Sequence, residues 1–255
     1  MLTLLAPSKS LDFSKTDIKE TSLPRLLDDT NSLVQIMRKM SAAKLRKLMS
    51  MSEDLAKLNK ERFMQFSNDH TGENSKQAIL SFKGGVYLGL DAETMNSRDI
   101  IWAQNHVRIL SGLYGVLRPT DLVQAYRLEM GTGLTTKRGK SIYAWWGEKI
   151  TNLVNEDLAP HSSKVIFNLA SQEYMKSVKV AKLEGEVYSA NFFEQRNGEY
   201  KFISFTAKKA RGLLCRYIID NRIDEPDDVK GFTVDGFKYL KKLSNEREFI
   251  FVKKG

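Results

Sequence analysis

The sequence predicts an α+β fold: a single mixed domain over residues 1–255, with a central mixed sheet and hairpins flanked by helices. Three observations carry this expectation. A short apolar run, MLTLLAPS, opens the chain and ends in a proline turn; apolar residues recur at helical spacing between Pro24 and Phe66; and Tyr188–Phe205 alternates around Asn197-Gly198, the strongest hairpin signal present. With 255 residues, 42% of them hydrophobic, and only five prolines, the chain can bury a substantial core, and no repeat, low-complexity tract or linker divides it.

Taken in order, the first run reads as a buried strand that presents Lys9 at its end. The helical arm that follows carries Leu33, Ile36 and Met37, then Leu45 and Leu48, then Leu55, Leu58 and Phe63, with Ser41 and Ser52 as N-caps dividing it. Glu53 and Asp54 reinforce the second cap by facing the helix dipole. Residues 78–131 alternate apolar runs with glycine turns, which predicts strands and loops around one helix near Ser97–His106. Ile142, Trp146, Ile150 and Leu153 mark one amphipathic helix from Ser141 to Leu158. VIFNLA is a buried strand by its continuous apolar character, and it turns into a helix capped by Ser171. A helix from Thr206 to about Asn221 follows the Asn-Gly hairpin, and Gly231–Lys254 reads as a second hairpin with Phe249 and Phe251 on one face.

A formal net charge of +9 favours an anionic partner, and nucleic acid, an acidic membrane surface and a phosphorylated small molecule all satisfy it. One cysteine excludes an internal disulfide framework and a cysteine-rich zinc site. The N-terminal segment lacks the charged region of a signal peptide and no run approaches the ~20 apolar residues of a membrane span, so the expectation is a cytoplasmic protein without a membrane partner. His70, His106 and His161 show no helical metal-site spacing and read as separate surface or capping residues, so neither a metal nor a cofactor is expected.

The densest stretch is LSGLYGVLRPTDLVQAYRLEMG, Leu110–Gly131, where turn glycines and Pro119 surround charges. Arg127 and Glu129 alternate with Tyr126, Leu128 and Met130 at strand period, which places the two charges on one face, as a plain ion pair or as part of a site. In the helix after Thr206, Lys208, Lys209 and Arg211 fall in the first turns, where the dipole disfavours cations unless an anion binds among them. Asn168, Ser171, Glu173 and Tyr174 lie on a strand-to-helix turn of the kind that lines ligand crevices, although capping and dipole roles already account for Ser171 and Glu173. Lys83-Gly84-Gly85 can cradle phosphate but lacks the Walker pattern. The run Ile109–Gly115 invites comparison with a helix-hairpin-helix, though HVRILSGL reads equally well as a strand.

The chain resembles the YaaA family of peroxide stress proteins along nearly its whole length. The resemblance rests on the order and spacing of APSKSLDF, FKGGVYLGL, LSGLYGVLRPTDL with YRLEMG, WWGEKITN, NLASQEYMKSV and FTAKKARGLLCRYIIDNR. It implies a cytoplasmic bacterial protein that binds DNA and limits iron-driven oxidative damage, on a fold specific to the family. The family usually has an acidic residue where this chain has Gly85, which leaves Lys83 as the transferable residue there.

The resulting expectation is a monomeric protein that binds double-stranded DNA without strong sequence preference through Lys9, Lys83, Arg118, Arg127, Lys208, Lys209 and Arg211. The alternative is an enzyme acting on a nucleobase or nucleoside in a pocket of Tyr126, Glu129, Asn168, Ser171, Glu173 and Tyr174, with a lysine beside them. Direct iron storage ranks last, because no helix carries the Glu-x-x-His pattern of di-iron bundles.

Overall fold

Leu2–Leu5 (β1) is buried at all four positions, without the alternation of a half-exposed strand. A strand reads that way when both faces of its sheet are covered. In the computed structural model, which describes residues 1–255, this strand lies inside an eight-stranded sheet. Along the chain follow β2 (Ser10–Leu11), β3 (Lys76–Gln77), β4 (Phe82–Lys83), β5 (Val107–Ser111), β6 (Gly115–Leu117) and β7 (Leu122–Val123). The remaining strands are β8 (Val165–Asn168), β9 (Glu186–Arg196), β10 (Glu199–Lys201), β11 (Lys238–Tyr239) and β12 (Glu248–Lys254). The large sheet runs β11-β12-β9-β8-β1-β5-β6, and β10 folds back on β9. Its five central strands are parallel, while β6, β10 and β11 pair antiparallel, so the sheet is mixed as expected.

Connectivity determines where a crevice opens. Leaving β1, the chain pairs first on one side through β5 and returns to pair on the other side through β8, with Thr3 opposite both Val107 and Phe167. Numbered along the chain, the parallel strands stand in the order 2-1-3-4-5, and in open sheets of that order the connections diverge at the carboxyl ends of the first and third strands. Here those ends are Leu5 and Asn168.

Ten α-helices surround the sheet. Leu27–Arg38 (α1), Ala42–Met49 (α2) and Glu53–Gln65 (α3) form the helical arm. Ser41 and Ser52 accept hydrogen bonds from the Lys44 and Leu55 amides as capping residues do. Ala78–Ser81 (α4) and Gly85–Leu90 (α5) stand where the glycine punctuation had suggested only strands and loops; Gly84 at φ 120° turns the chain into α5. Ser97–His106 (α6) starts from an Asn96/Asp99 capping box. The helix expected over 141–158 is two, Ile142–Trp146 (α7) and Lys149–Leu158 (α8), because Gly147 at φ 56° breaks it. Gln172–Met175 (α9) is a single turn, and Ser171 precedes it without making the expected side-chain cap.

The long helix Ser204–Asp220 (α10) begins earlier than its sequence suggests. Thr206 is not the N-cap; its hydroxyl donates to Glu194 Oε1 at 2.5 Å. Lys208, Lys209 and Arg211 therefore lie beyond the first turn, and a dipole-based anion site at the helix start does not form. Further along, α10 buries Leu214, Cys215, Ile218 and Ile219. Burial pushes the Cys215 thiol up to a pKa of about 12. The helix-hairpin-helix comparison also fails: residues 107–117 are all buried and form the β5–β6 hairpin, whose amides cannot reach a DNA backbone. At Asn197 and Gly198 both φ angles are positive, as the predicted tight turn requires, and Phe249 and Phe251 are both buried on β12.

Helices α5 and α10 touch backbone to backbone. A Cβ at Gly212 would lie 1.8 Å from the Val86 carbonyl oxygen, and one at Gly89 would lie 2.2 Å from that of Lys209. No L side chain fits such gaps without moving a helix, and overpacking of this kind costs about 1–3 kcal/mol or more. Gly212→Ala should thus lower the denaturant-unfolding free energy by at least about 2 kcal/mol, whereas Gly72→Ala, at a site with open space, should stay within ~0.5 kcal/mol of the parent.

Near the amino ends of the parallel strands, Arg108 of β5 is buried and its Nε donates to Asp157 Oδ2 at 2.5 Å, while Arg25 grips the same carboxylate at 2.8 and 2.6 Å. Burial works to raise the Asp157 pKa, but the hydrogen bonds and charges of Arg108 and Arg25 outweigh it and hold the group below the ordinary carboxylate range. A depressed folded-state pKa contributes stability that is complete above the unfolded value and is lost as pH falls through the folded one. Asp157→Asn should reduce unfolding free energy at pH 7 by about 3–5 kcal/mol, since two guanidinium groups lose their partner. The gap between variant and parent should narrow progressively below about pH 4 in denaturant titrations.

Candidate functional site

The crevice that the strand order predicts is a cleft of about 350 Å³. Its floor comes from the loop after β1, Ala6–Lys9, and from the turn after β8, including Leu169 and Ser171. Gly84 and Gly85 at the start of α5, the Tyr126–Glu129 segment, and Lys208 and Arg211 of α10 complete the walls.

Two close contacts hold the walls in place. The segment after β7 is irregular rather than a strand, yet a Cβ at Gly112 would lie 2.1 Å from the Leu128 carbonyl oxygen, so this segment rests directly on the β5–β6 turn. The Tyr126 hydroxyl meets the Ser111 hydroxyl at 2.6 Å, and the Gly131 amide donates to Glu173 Oε1 at 2.9 Å. On the other wall, the backbone contact of α5 with α10 brings Lys208 Cβ to 2.9 Å from where a Cβ of Gly85 would stand. The tyrosines are anchored as well: Tyr87 donates to the Ala6 carbonyl at 3.0 Å, and burial raises the pKa of Tyr87, Tyr126 and Tyr174 above the ordinary phenol value.

The charges are unevenly satisfied. Glu129 pairs with Arg127 at 3.1 Å and with Lys9 at 2.6 Å, so the one-face pairing read from alternation exists and gains a third member. Arg127 Nε is nonetheless buried and has no hydrogen-bond partner. A buried donor left unsatisfied costs roughly 1–3 kcal/mol. Lys208 makes no ion pair, and Arg211, half-buried, makes neither ion pair nor hydrogen bond; burial alone pulls its guanidinium pKa down. Two cations without partners and one orphaned guanidinium N–H face a single crevice, and a ligand bearing an anionic, hydrogen-bond-accepting group would satisfy all three.

Of the residues proposed from sequence, the cleft gathers Lys9, Tyr126, Arg127, Glu129, Ser171, Glu173, Tyr174, Lys208 and Arg211. Four others lie elsewhere. Lys83 is held by Asp12 and Glu93, each at 3.1 Å, and Arg118 is bound to Asp121 at 2.9 Å. Asn168 accepts from the Ala170 amide at 2.9 Å and shapes the turn without lining the cleft, and Lys209 sits beside the Gly89 contact. Ser8 and Tyr87 also line the cleft; only their place inside the APSKS and FKGGVYLGL motifs marked them in advance.

Comparison with known proteins places this geometry in a family. A family model described as "Peroxide stress protein YaaA" matches residues 1–243. The chain belongs to the YaaA family of peroxide stress proteins. A UPF0246 protein of Alteromonas mediterranea is 45% identical over 254 residues, covering 99% of this chain and 98% of its own length. In this YaaA-family protein no helix is long and apolar enough to cross a membrane.

Because the Arg211 charge has no partner, Arg211→Met should unfold at the same temperature as the parent or a few degrees higher. Inorganic pyrophosphate should raise the unfolding temperature of the parent and leave that of Arg211→Met unchanged. Differential scanning calorimetry with and without the anion checks both halves.

Proposed function

We propose that this protein acts in peroxide stress by binding nucleic acid through phosphate contacts without strong sequence preference, and so limits iron-driven damage to DNA. The observation that carries the reading is the convergence of Arg127, Lys208 and Arg211 on one cleft in which the latter two have no protein partner. A net charge of +9 supports it, because cations clustered on a basic chain draw a polyanion and release its counterions. At about 350 Å³ the cleft suits one nucleotide unit, so a duplex would lie across the rim near Lys9 with a single phosphate or a displaced nucleotide directed inward.

A second reading is favoured by the carboxylates. Glu129 and Glu173 line the same cleft as Lys9, Lys208 and Tyr174, a set able to move protons on a nucleobase or nucleoside. A surface that only grips phosphate gains nothing from carboxylates, which repel it.

Labelled duplexes of unrelated sequence, titrated across a salt series, should bind with similar affinities that fall with a slope of about −0.9 per phosphate contact on logarithmic axes. Arg211→Gln should weaken binding and lower that slope by about one. Binding that is flat with salt would overturn the reading. Glu129→Gln and Glu173→Gln separate the two readings: a binder keeps or gains affinity and continues to protect cells from peroxide, whereas normal binding with lost protection assigns chemistry to the carboxylates.

A further inference from the structure

At the opposite end of the parallel strands from the cleft, three groups far apart in sequence meet. His106 ends α6 just before β5, His161 precedes β8, and Asp224 follows α10. The sequence expectation of separate histidines does not hold for two of them: the His106 and His161 rings pack edge to face with centroids 4.8 Å apart. One donor atom from each of His106, His161 and Asp224 lies within 4.8 Å of the others, and all three side chains are half-buried.

Backbone carbonyls orient both imidazoles. His106 Nδ1 lies 2.8 Å from the Trp102 carbonyl oxygen, so Nδ1 carries the proton and Nε2 presents a lone pair. His161 Nε2 lies 3.1 Å from the Asn105 carbonyl oxygen, so its lone pair is on Nδ1, 3.7 Å from Asp224 Oδ1. This is the arrangement by which outer hydrogen bonds prepare metal-binding histidines. The His106 ring is further fixed by stacking on Trp102 at 3.8 Å. Burial lowers the pKa of both histidines, which favours the neutral form a metal ion requires.

The position already accommodates a cation. The Met1 ammonium group lies 3.3 Å from His161 Nδ1 and forms an ion pair with Asp224 Oδ1. Neighbouring arginines are neutralised, Arg108 by Asp157 and Arg118 by Asp121. An open depression of about 510 Å³ with no hydrophobic lining residue adjoins the three groups and gives entry to an ion and to water.

We propose that His106 Nε2, His161 Nδ1 and the Asp224 carboxylate form a binding site for a divalent first-row transition-metal ion, which displaces the ammonium from His161 and Asp224. Two imidazoles and one carboxylate select zinc, iron, cobalt or nickel over magnesium or calcium. Bonds of about 2.1 Å place tetrahedral donors roughly 3.4 Å apart, so the 3.7 Å pair is near its bound spacing, and the His106 donor, within 4.8 Å of the other two, closes in by at most about 1.4 Å. Water from the depression completes the coordination.

The chain has three histidines, which makes the test direct. Proton NMR of the imidazole resonances during a Zn²⁺ titration should show two of the three shifting together and saturating at one equivalent, while the third, His70, whose Nε2 is 3.0 Å from the Tyr114 hydroxyl, stays in place. Mg²⁺ should move none. Co²⁺ should give d–d absorption bands at one equivalent, and His161→Ala and Asp224→Asn should weaken its binding roughly tenfold or more. Resonances that fail to shift, that shift without saturating, or that all shift alike would overturn the proposal. So would Co²⁺ binding unchanged in folded variants. Should a variant not fold, the Zn²⁺ titration of the parent protein decides alone.

Discussion

Much of the molecule follows from one short strand being hydrogen-bonded on both sides by parallel neighbours. Parallel pairing prevents β1 from being joined to either neighbour by a tight turn, so the chain must cross over one face to β5 and later return to β8. The two connections part at the carboxyl ends, and the space between them cannot be closed by the sheet itself. In this chain that space is floored by Ala6–Lys9 and the turn at Ser171, and walled by helices and an extended segment supplied from distant parts of the sequence.

The walls of this cleft are held by contacts that remove side chains, while its chemistry comes from side chains left unpaired. Gly89 and Gly212 let two helices touch through their backbones, and Gly112 does the same for the segment bearing Arg127 and Glu129. Such contacts leave little freedom, so Lys208 and Arg211 are presented from a stiff support. Elsewhere several basic residues are consumed by the fold: Arg108 and Arg25 share Asp157, Arg138 and Lys149 share Asp29, and Lys83 joins Asp12 and Glu93. Other lysines and arginines of the surface also make no ion pair, and Lys208 and Arg211 are set apart from them by facing one crevice.

This also explains what the sequence could and could not reveal. Local chemistry was legible: the caps at Ser41 and Ser52, the Asn197-Gly198 turn and the buried run of β8 all formed as read. Half of the cleft's lining was legible too, because its charged and hydroxyl-bearing residues sit in dense motifs. Partnering was not. Lys83 and Arg118 looked as available as Arg211, and only the positions of Asp12, Glu93 and Asp121 in space distinguish them. The short helix α5 was hidden because glycines that allow a close helix crossing resemble glycines that make turns, and the start of α10 was misjudged because the Thr206 hydroxyl serves Glu194. His106 and His161 meet only because the parallel topology brings the starts of β5 and β8 to opposite sides of β1.

The burial of Cys215 has a consequence for a protein deployed against an oxidant. Peroxide attacks thiolates, and a thiol with a pKa of about 12 inside a helix interface holds almost no thiolate at neutral pH. The sulfur most open to oxidation is instead that of residues such as Met64, 56% exposed on α3, where conversion to a polar sulfoxide disturbs no packed core. Within this chain the one thiol is thus placed to pack a helix and not to meet peroxide.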